Sequence, residues 1–469
     1  MLLLETDNPE PIHVNPEVYP DLKLPTLPSS FLNFVCSYTS INPFNYEYNF
    51  IGAASEPFLG TVVSTKLLTN VDAVKSTYEL VLDVSKCNEK IAFQPGDSVS
   101  LICPNNEDLV NSILNRIDCI AQAETPFELS QLPESKKRIP LHLPKISTLR
   151  HVFTWCIDIC SVPFKKAFFR LLAEYTYDEN EREKLLYLSS RQGNSEFESL
   201  RDKKPSLLDI FQMFKSCKPP VIRIIESLPM LLPRPFSIAS SPLETGFDQI
   251  KIVYTLVEIE NSVGVDSRKG VATAYLTNKF NLGATLSDRL SSLQIHDTKC
   301  ISLFFRNPTS FRMPTSYSTP LVLIAAGTGL SPFIGFLDQR NAAEDEKGEC
   351  HLFFGCRNKS LDYIYESKIE HYISNGILTS VYTAFSRDED PKYHYVTDAI
   401  RDNGQLICDL VINNNGLIYI CGDVYNMVKD VNDALIDCIA DFKSISKNEA
   451  RSEIIRLRAD NLILEDAWI

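Results

Sequence analysis

With 469 residues at roughly 100 to 200 per domain, the chain has room for about two to four domains, and a single core is excluded. Lys and Arg total 46 against 60 Asp and Glu, a net charge of −14 that argues against a phosphate-backbone binder and so against nucleic acid as a partner. The 13 cysteines are an odd number without a CxxC pair, as expected of reduced thiols in the cytoplasm, and Cys156 and Cys160, four apart with no second ligand pair, read as packing residues and not as a metal site.

In chain order, Met1 to Pro11 carries acidic residues and a Pro where a signal peptide needs a basic region and an apolar run, so secretion is not expected. Residues 1–54, rich in Pro and Asn with little periodicity, read as a linker-like tail. Short β-rich runs such as Thr61 to Ser64 and Tyr78 to Val84, ending in the turn Gln94-Pro95-Gly96-Asp97, open an antiparallel β domain. From about 109 to 220 the pattern turns helical, with an apolar stripe at Phe164, Phe168, Leu171 and Leu172 followed by acidic Asp178 to Glu183, which predicts a helical insertion. Strands resume at Phe236 to Ala239 and Ile250 to Val257, and the β domain, 55–314, closes near Pro314. Beyond it, Leu321 to Ala325, Leu352 to Gly355, Thr379 to Phe385 and Leu417 to Cys421 alternate with helical stretches, which predicts a parallel α/β domain over 315–469. The apolar stretch Pro320 to Leu337 is broken by Gly327, Thr328, Gly329, Ser331 and Pro332, so it reads as strand, turn and helix start, and no membrane partner is expected. The fold class is thus multidomain, α+β and α/β, an antiparallel β-barrel followed by a parallel α/β domain.

Several short motifs carry chemistry. Gly327-Thr328-Gly329 after a strand lets backbone N–H groups approach a pyrophosphate at a helix N-terminus, although any tight strand-to-helix turn can use glycine. Ser386 and Arg387 at a strand end, with Lys392 and Tyr395 beyond, offer a hydroxyl and cations to the 2′-phosphate that separates NADP from NAD; a solvated polar loop is the alternative. In Cys421-Gly422-Asp423 a small thiol ends a strand where ligands gather, or is simply buried. Arg234-Pro235-Phe236-Ser237 offers a guanidinium for a diphosphate, an aromatic face for a flavin ring and a hydroxyl for its nitrogen edge, and Gly270-Val271-Ala272-Thr273 a second phosphate turn.

In their order and spacing RPFS, GVAT, GTG-x-SPFIGF, FFGCRN, SRD, CGD-x-x-NM-x-KD and the terminal Asp466-Ala467-Trp468 resemble the diflavin reductases, from about Pro57 to Ile469. The helical segment His151 to Cys156 with Val162 to Phe168, and the run His371 to Thr379, look most like the branch of that family that reactivates cobalamin-dependent methionine synthase. The resemblance implies FAD contacts at Arg234, Pro235, Phe236 and Ser237, at Val253, Tyr254 and Thr255, and at Gly270, Val271, Ala272 and Thr273. It implies NADPH contacts at Thr328, Ser386, Arg387, Lys392, Tyr395 and Asp430, with Lys75 a weaker candidate. It makes Ser237, Cys421 and Asp466 a hydride-transfer trio and Trp468 the aromatic that covers the flavin. Phe236 stands where relatives usually have Tyr, and Lys392 lies farther before Tyr395 than in relatives, which ranks it below Arg387. Members of the family carry an N-terminal flavodoxin-like domain, and the residues before Pro57 are too few for one, so FAD and NADPH are expected here and FMN is not. The implied acceptors are methionine synthase or a separate flavodoxin-like protein; a P450-type or sulfite-reductase-type acceptor, or a non-catalytic chaperone of methionine synthase, are the alternatives.

Overall fold

The computed structural model describes residues 11–12, 14–15, 18–36, 50–89, 91–160, 164–259, 268–280, 282 and 299–468. They fall into two compact units, the first made of 1–50, 103–233 and 258–278, the second of 51–102, 234–257 and 279–469.

The first unit is mainly helical. Its helix Lys166–Ala173 buries Phe168, Leu171 and Leu172 of the apolar stripe expected from the sequence, together with Phe169, while Phe164, the first residue of that stripe, is buried just before the helix. The acidic run that follows starts a new helix, Glu179–Ser189, where Asp178 caps by accepting from Glu181 N. The N-terminal stretch read as a linker contributes structure of its own: Leu32–Cys36 pairs antiparallel with Phe127–Gln131. That segment is held by a buried ion pair, because Glu226, paired with Arg223, accepts from Phe31 N at 2.5 Å and Leu32 N at 2.7 Å. Further upstream Ile12 N donates to Glu174 O at 2.8 Å. The predicted segment Val162 to Phe168 begins with residues 162–163, which lie outside those described.

The second unit holds two sheets. Six antiparallel strands run in the order Arg234–Ser237, Ser98–Leu101, Cys300–Phe305, Phe58–Leu67, Thr77–Asp83, Gln249–Thr255. A bridge between Ile238 and Ile252 joins the first to the last, which closes the sheet into a barrel and removes its edges. The turn Gln94-Pro95-Gly96-Asp97 is locked: Gly96 has φ +95°, and Asp97 is paired twice with Arg312, at 2.7 and 2.6 Å. The second sheet is five parallel strands in the order Ser380–Phe385, Cys350–Cys356, Leu321–Ala326, Leu417–Asp423, Ile463–Trp468. Its strands are buried on both faces: Val322, Ile324, Ile418 and Ile420 pack into one core, Leu321, Leu323, Tyr419 and Cys421 into the other. The strand order reverses between Leu321–Ala326 and Leu417–Asp423, so their carboxyl ends open the crevice where an open parallel sheet takes its ligands. No helix among the described residues is long and apolar enough to cross a membrane.

Candidate functional site

The crevice at the switch point is built by two glycines with different tasks. Gly327 has φ +53°, which the turn out of Leu321–Ala326 requires. Gly329 is needed for a close approach: a Cβ there would stand 2.1 Å from the Cys421 carbonyl oxygen. The turn leads into the helix Ser331–Ala342. These glycines, expected from their pattern to let backbone approach a pyrophosphate, also serve packing, since Gly329 lets the turn sit against the neighbouring strand.

That approach places Cys421 beside the last strand, in register with Asp466. The Ser237 hydroxyl, on the barrel strand Arg234–Ser237, donates to Asp466 Oδ2 at 2.6 Å, and the Cys421 thiol lies 3.9 Å from the same oxygen. Three residues far apart in sequence thus share one carboxylate. Cys421 is fully buried, and burial first, then the Asp466 charge, pushes its thiol well above the usual range, so it stays protonated and acts as a donor. The fourth member of the expected set, Trp468, pairs through its backbone with Asp423, and its side chain lies outside those described.

A cleft of about 810 Å³ runs from these strand ends, large enough for a dinucleotide half. It is lined by six residues singled out from sequence, Lys75, Thr255, Thr328, Ser386, Tyr395 and Asp430. Two others are placed differently. Arg387 is exposed; its N–H donates to Arg357 O at 2.8 Å, and its side chain is not part of the cleft wall. Lys392 is turned away from the wall, its Nζ 3.9 Å from Asp402 and 4.7 Å from the centre of the Tyr393 ring. Sequence reasoning passed over Thr69, Arg357, His394 and Arg401, which also line the cleft. Arg357 was in view within FFGCRN; Arg401 had no motif to mark it.

The flavin candidates divide by exposure. Phe236 is half-buried and stacks on no other described ring, which leaves a face for a flat heterocycle. Val253 and Tyr254 are buried, Tyr254 against Tyr78 with ring centres 5.6 Å apart, so that strand offers its backbone, and Thr255, bonded to Thr77 Oγ1 at 2.8 Å, reaches the cleft. In the first unit Gly270 immediately precedes the helix Val271–Lys279, whose N-terminal turn is suited to a diphosphate.

Comparison with known proteins gives two family matches. Residues 52–275 match the FAD binding domain family and residues 323–433 the oxidoreductase NAD-binding domain family. The chain is therefore a flavin oxidoreductase with FAD and NADPH as its cofactors. It is homologous to the methionine synthase reductases: it is 36% identical to that of Rattus norvegicus over 426 residues, and 36% identical to that of Homo sapiens over 421. The match covers 86% of this chain and 59% of each of those proteins, so the chain spans about three-fifths of their length. The NADPH–cytochrome P450 reductase of Drosophila melanogaster is 33% identical over 422 residues, 88% of this chain and 58% of that protein.

Proposed function

We propose that the chain is the reductase half of a methionine synthase reductase-type system, accepting hydride from NADPH and delivering electrons toward cobalamin-dependent methionine synthase. The observation that carries the reading is the carboxylate shared by Ser237 and Cys421 at the open end of the parallel sheet. FAD and NADPH supply the hydride chemistry when bound. The protein's part is geometric and electrostatic. Arg234 is suited to a diphosphate, the Phe236 face to a ring, and the helix start after Gly270 to phosphate oxygens. Thr328, Ser386 and Tyr395 on the cleft wall are suited to hold the nicotinamide dinucleotide, with Lys75 and Asp430 also on the wall and Arg387 next to Ser386. Ser237 holds its proton toward Asp466 Oδ2, so the carboxylate is fixed in place and ready to balance positive charge that develops beside it. The protonated Cys421 fills the strand end without adding a second negative charge.

The test uses the full chain with its bound flavin. NADPH-driven ferricyanide reduction reports on hydride acceptance, and reactivation of methionine synthase, with and without a separately supplied flavodoxin domain, reports on the acceptor. Activity toward ferricyanide with no reactivation under either condition rejects the methionine synthase assignment and favours an acceptor of the kind that an NADPH–cytochrome P450 reductase serves. A chain inactive in both assays would be a non-catalytic partner, a role that the Ser237, Cys421 and Asp466 cluster argues against.

A further inference from the structure

The cleft wall includes Lys75 but not Lys392, the cation that the sequence pattern places just before Tyr395. Lys392 is 74% exposed at its side chain and faces Asp402, on the outside of the helix Val396–Asp402. That same helix presents Thr397 and Arg401 to the cleft. Residues four apart share one face of a helix, so Thr397 and Arg401 face the cleft together. The wall also holds Ser386, Arg357 and His394.

Arg401 is ion-paired to Asp437, whose Oδ2 lies 3.6 Å from Nε, a loose contact that engages one edge of the guanidinium. Asp437 has a closer partner in Lys447, whose Nζ lies 2.6 Å from Oδ1 and which holds the carboxyl below its usual range. The guanidinium keeps donors for an incoming anion, and the weak contact with Asp437 sets its position. The wall also carries Asp362, Asp398, Asp423, Asp430 and Asp433, whose charge opposes any phosphate, so its few cations must decide where a doubly charged phosphate settles.

Resting on the reading that this cleft takes NADPH, we propose that Arg401 binds the nucleotide's 2′-phosphate in the place that the sequence pattern gives to Lys392. A guanidinium presents two parallel N–H donors to phosphate oxygens where an ammonium presents a point charge, so the exchange sharpens selection for the phosphorylated nucleotide. It also explains why the displaced Lys392 spacing is tolerated.

The experiment is calorimetric titration of the FAD-bound full chain with 2′,5′-ADP and with ADP. Arg401→Ala is expected to weaken 2′,5′-ADP on the order of tenfold while ADP changes little, the size of one charge-assisted contact. Arg401→Lys should retain part of the preference, and Lys392→Ala nearly all of it. Retained flavin absorbance and far-ultraviolet dichroism establish that each variant is folded; should Arg401→Ala fail that check, Arg401→Lys against Lys392→Ala decides alone. An unchanged ratio of the two affinities in the Arg401 variants, or its collapse in Lys392→Ala, overturns the assignment. A wild-type chain that binds ADP as tightly as 2′,5′-ADP instead overturns the NADPH reading of the cleft, a separate result.

Discussion

The Asp466 carboxylate has two donors of unequal strength: the Ser237 hydroxyl at 2.6 Å fixes it, and the Cys421 thiol at 3.9 Å only fills space and dipole around it. Asp466→Asn removes the charge and keeps the shape, so it is expected to lower kcat for NADPH-driven ferricyanide reduction by about 10- to 100-fold, with a smaller fall for Ser237→Ala. Steady-state kinetics at saturating NADPH check this, and an Asp466→Asn enzyme of full kcat removes the trio from the mechanism. Because burial keeps the Cys421 thiol protonated far above neutral pH, Cys421→Ser should leave the shape of the pH–rate profile below pH about 9 unaltered. The nucleotide side gives a second readout. Replacing Arg387 with Ala should raise KM for NADPH more than for NADH, since this exposed residue follows Ser386, a residue of the cleft wall. At this scale the sequence was informative where a motif marks a backbone need, as at Gly327 and Gly329, and silent at Arg401, whose role appears only once its helix is placed beside the strand ending in Phe385.

Elements show why some of that was hidden. The strand Leu32–Cys36 finds its partner almost a hundred residues later, in Phe127–Gln131, and such a pairing leaves no local period to read. The turn at Gly329 is legible as a turn, but its tightest neighbour, the Cys421 carbonyl, belongs to a strand brought alongside by the sheet order. Gly329→Ala puts a methyl 2.1 Å from that oxygen, against backbone that has no rotamer to escape with, and should cost about 2–4 kcal/mol in chemical unfolding while also loosening the switch point. A second element-scale device lies in the helix Ser331–Ala342, where Asp338 is buried against Lys368 Nζ at 2.6 Å, the Tyr372 hydroxyl and Glu244. Burial, reinforced by Glu244, raises the Asp338 carboxyl to about 6 from 3.8. The folded state therefore keeps a proton that the unfolded chain has released, so stability falls as pH rises from about 4 to 6, and the loss levels off above the folded value. Glu244 is shifted the opposite way and offsets part of it. Denaturant midpoints measured across that window should slope downward in the wild type and flatten in Asp338→Asn.

For the molecule as a whole, the barrel and the parallel sheet were legible because each repeats its own period and is punctuated by Gly and Pro, whereas the first unit, assembled from three stretches of chain, was read only in its middle part. The inventory of domains then sets the cofactor stoichiometry. One FAD binding domain and one NAD-binding domain match this chain, so the purified chain is expected to release one equivalent of FAD on denaturation and no FMN. Electron delivery follows from that inventory. A small oxidant such as ferricyanide can collect electrons at an exposed flavin edge, while a large one-electron partner needs a carrier that docks, and the homologous reductases are longer than the matched region. The net charge of −14 gives little electrostatic steering toward a carrier that is itself acidic, so productive encounter with a separately supplied flavodoxin domain should be slow at low salt and faster as screening by salt removes the repulsion. Chromatography of the released flavins settles the first point. For the second, methionine synthase reactivation is measured with the flavodoxin domain added at increasing ionic strength: a rate that rises between low and physiological salt is the expected result, and a rate that falls steadily with salt shows that a local basic surface steers docking against the overall charge.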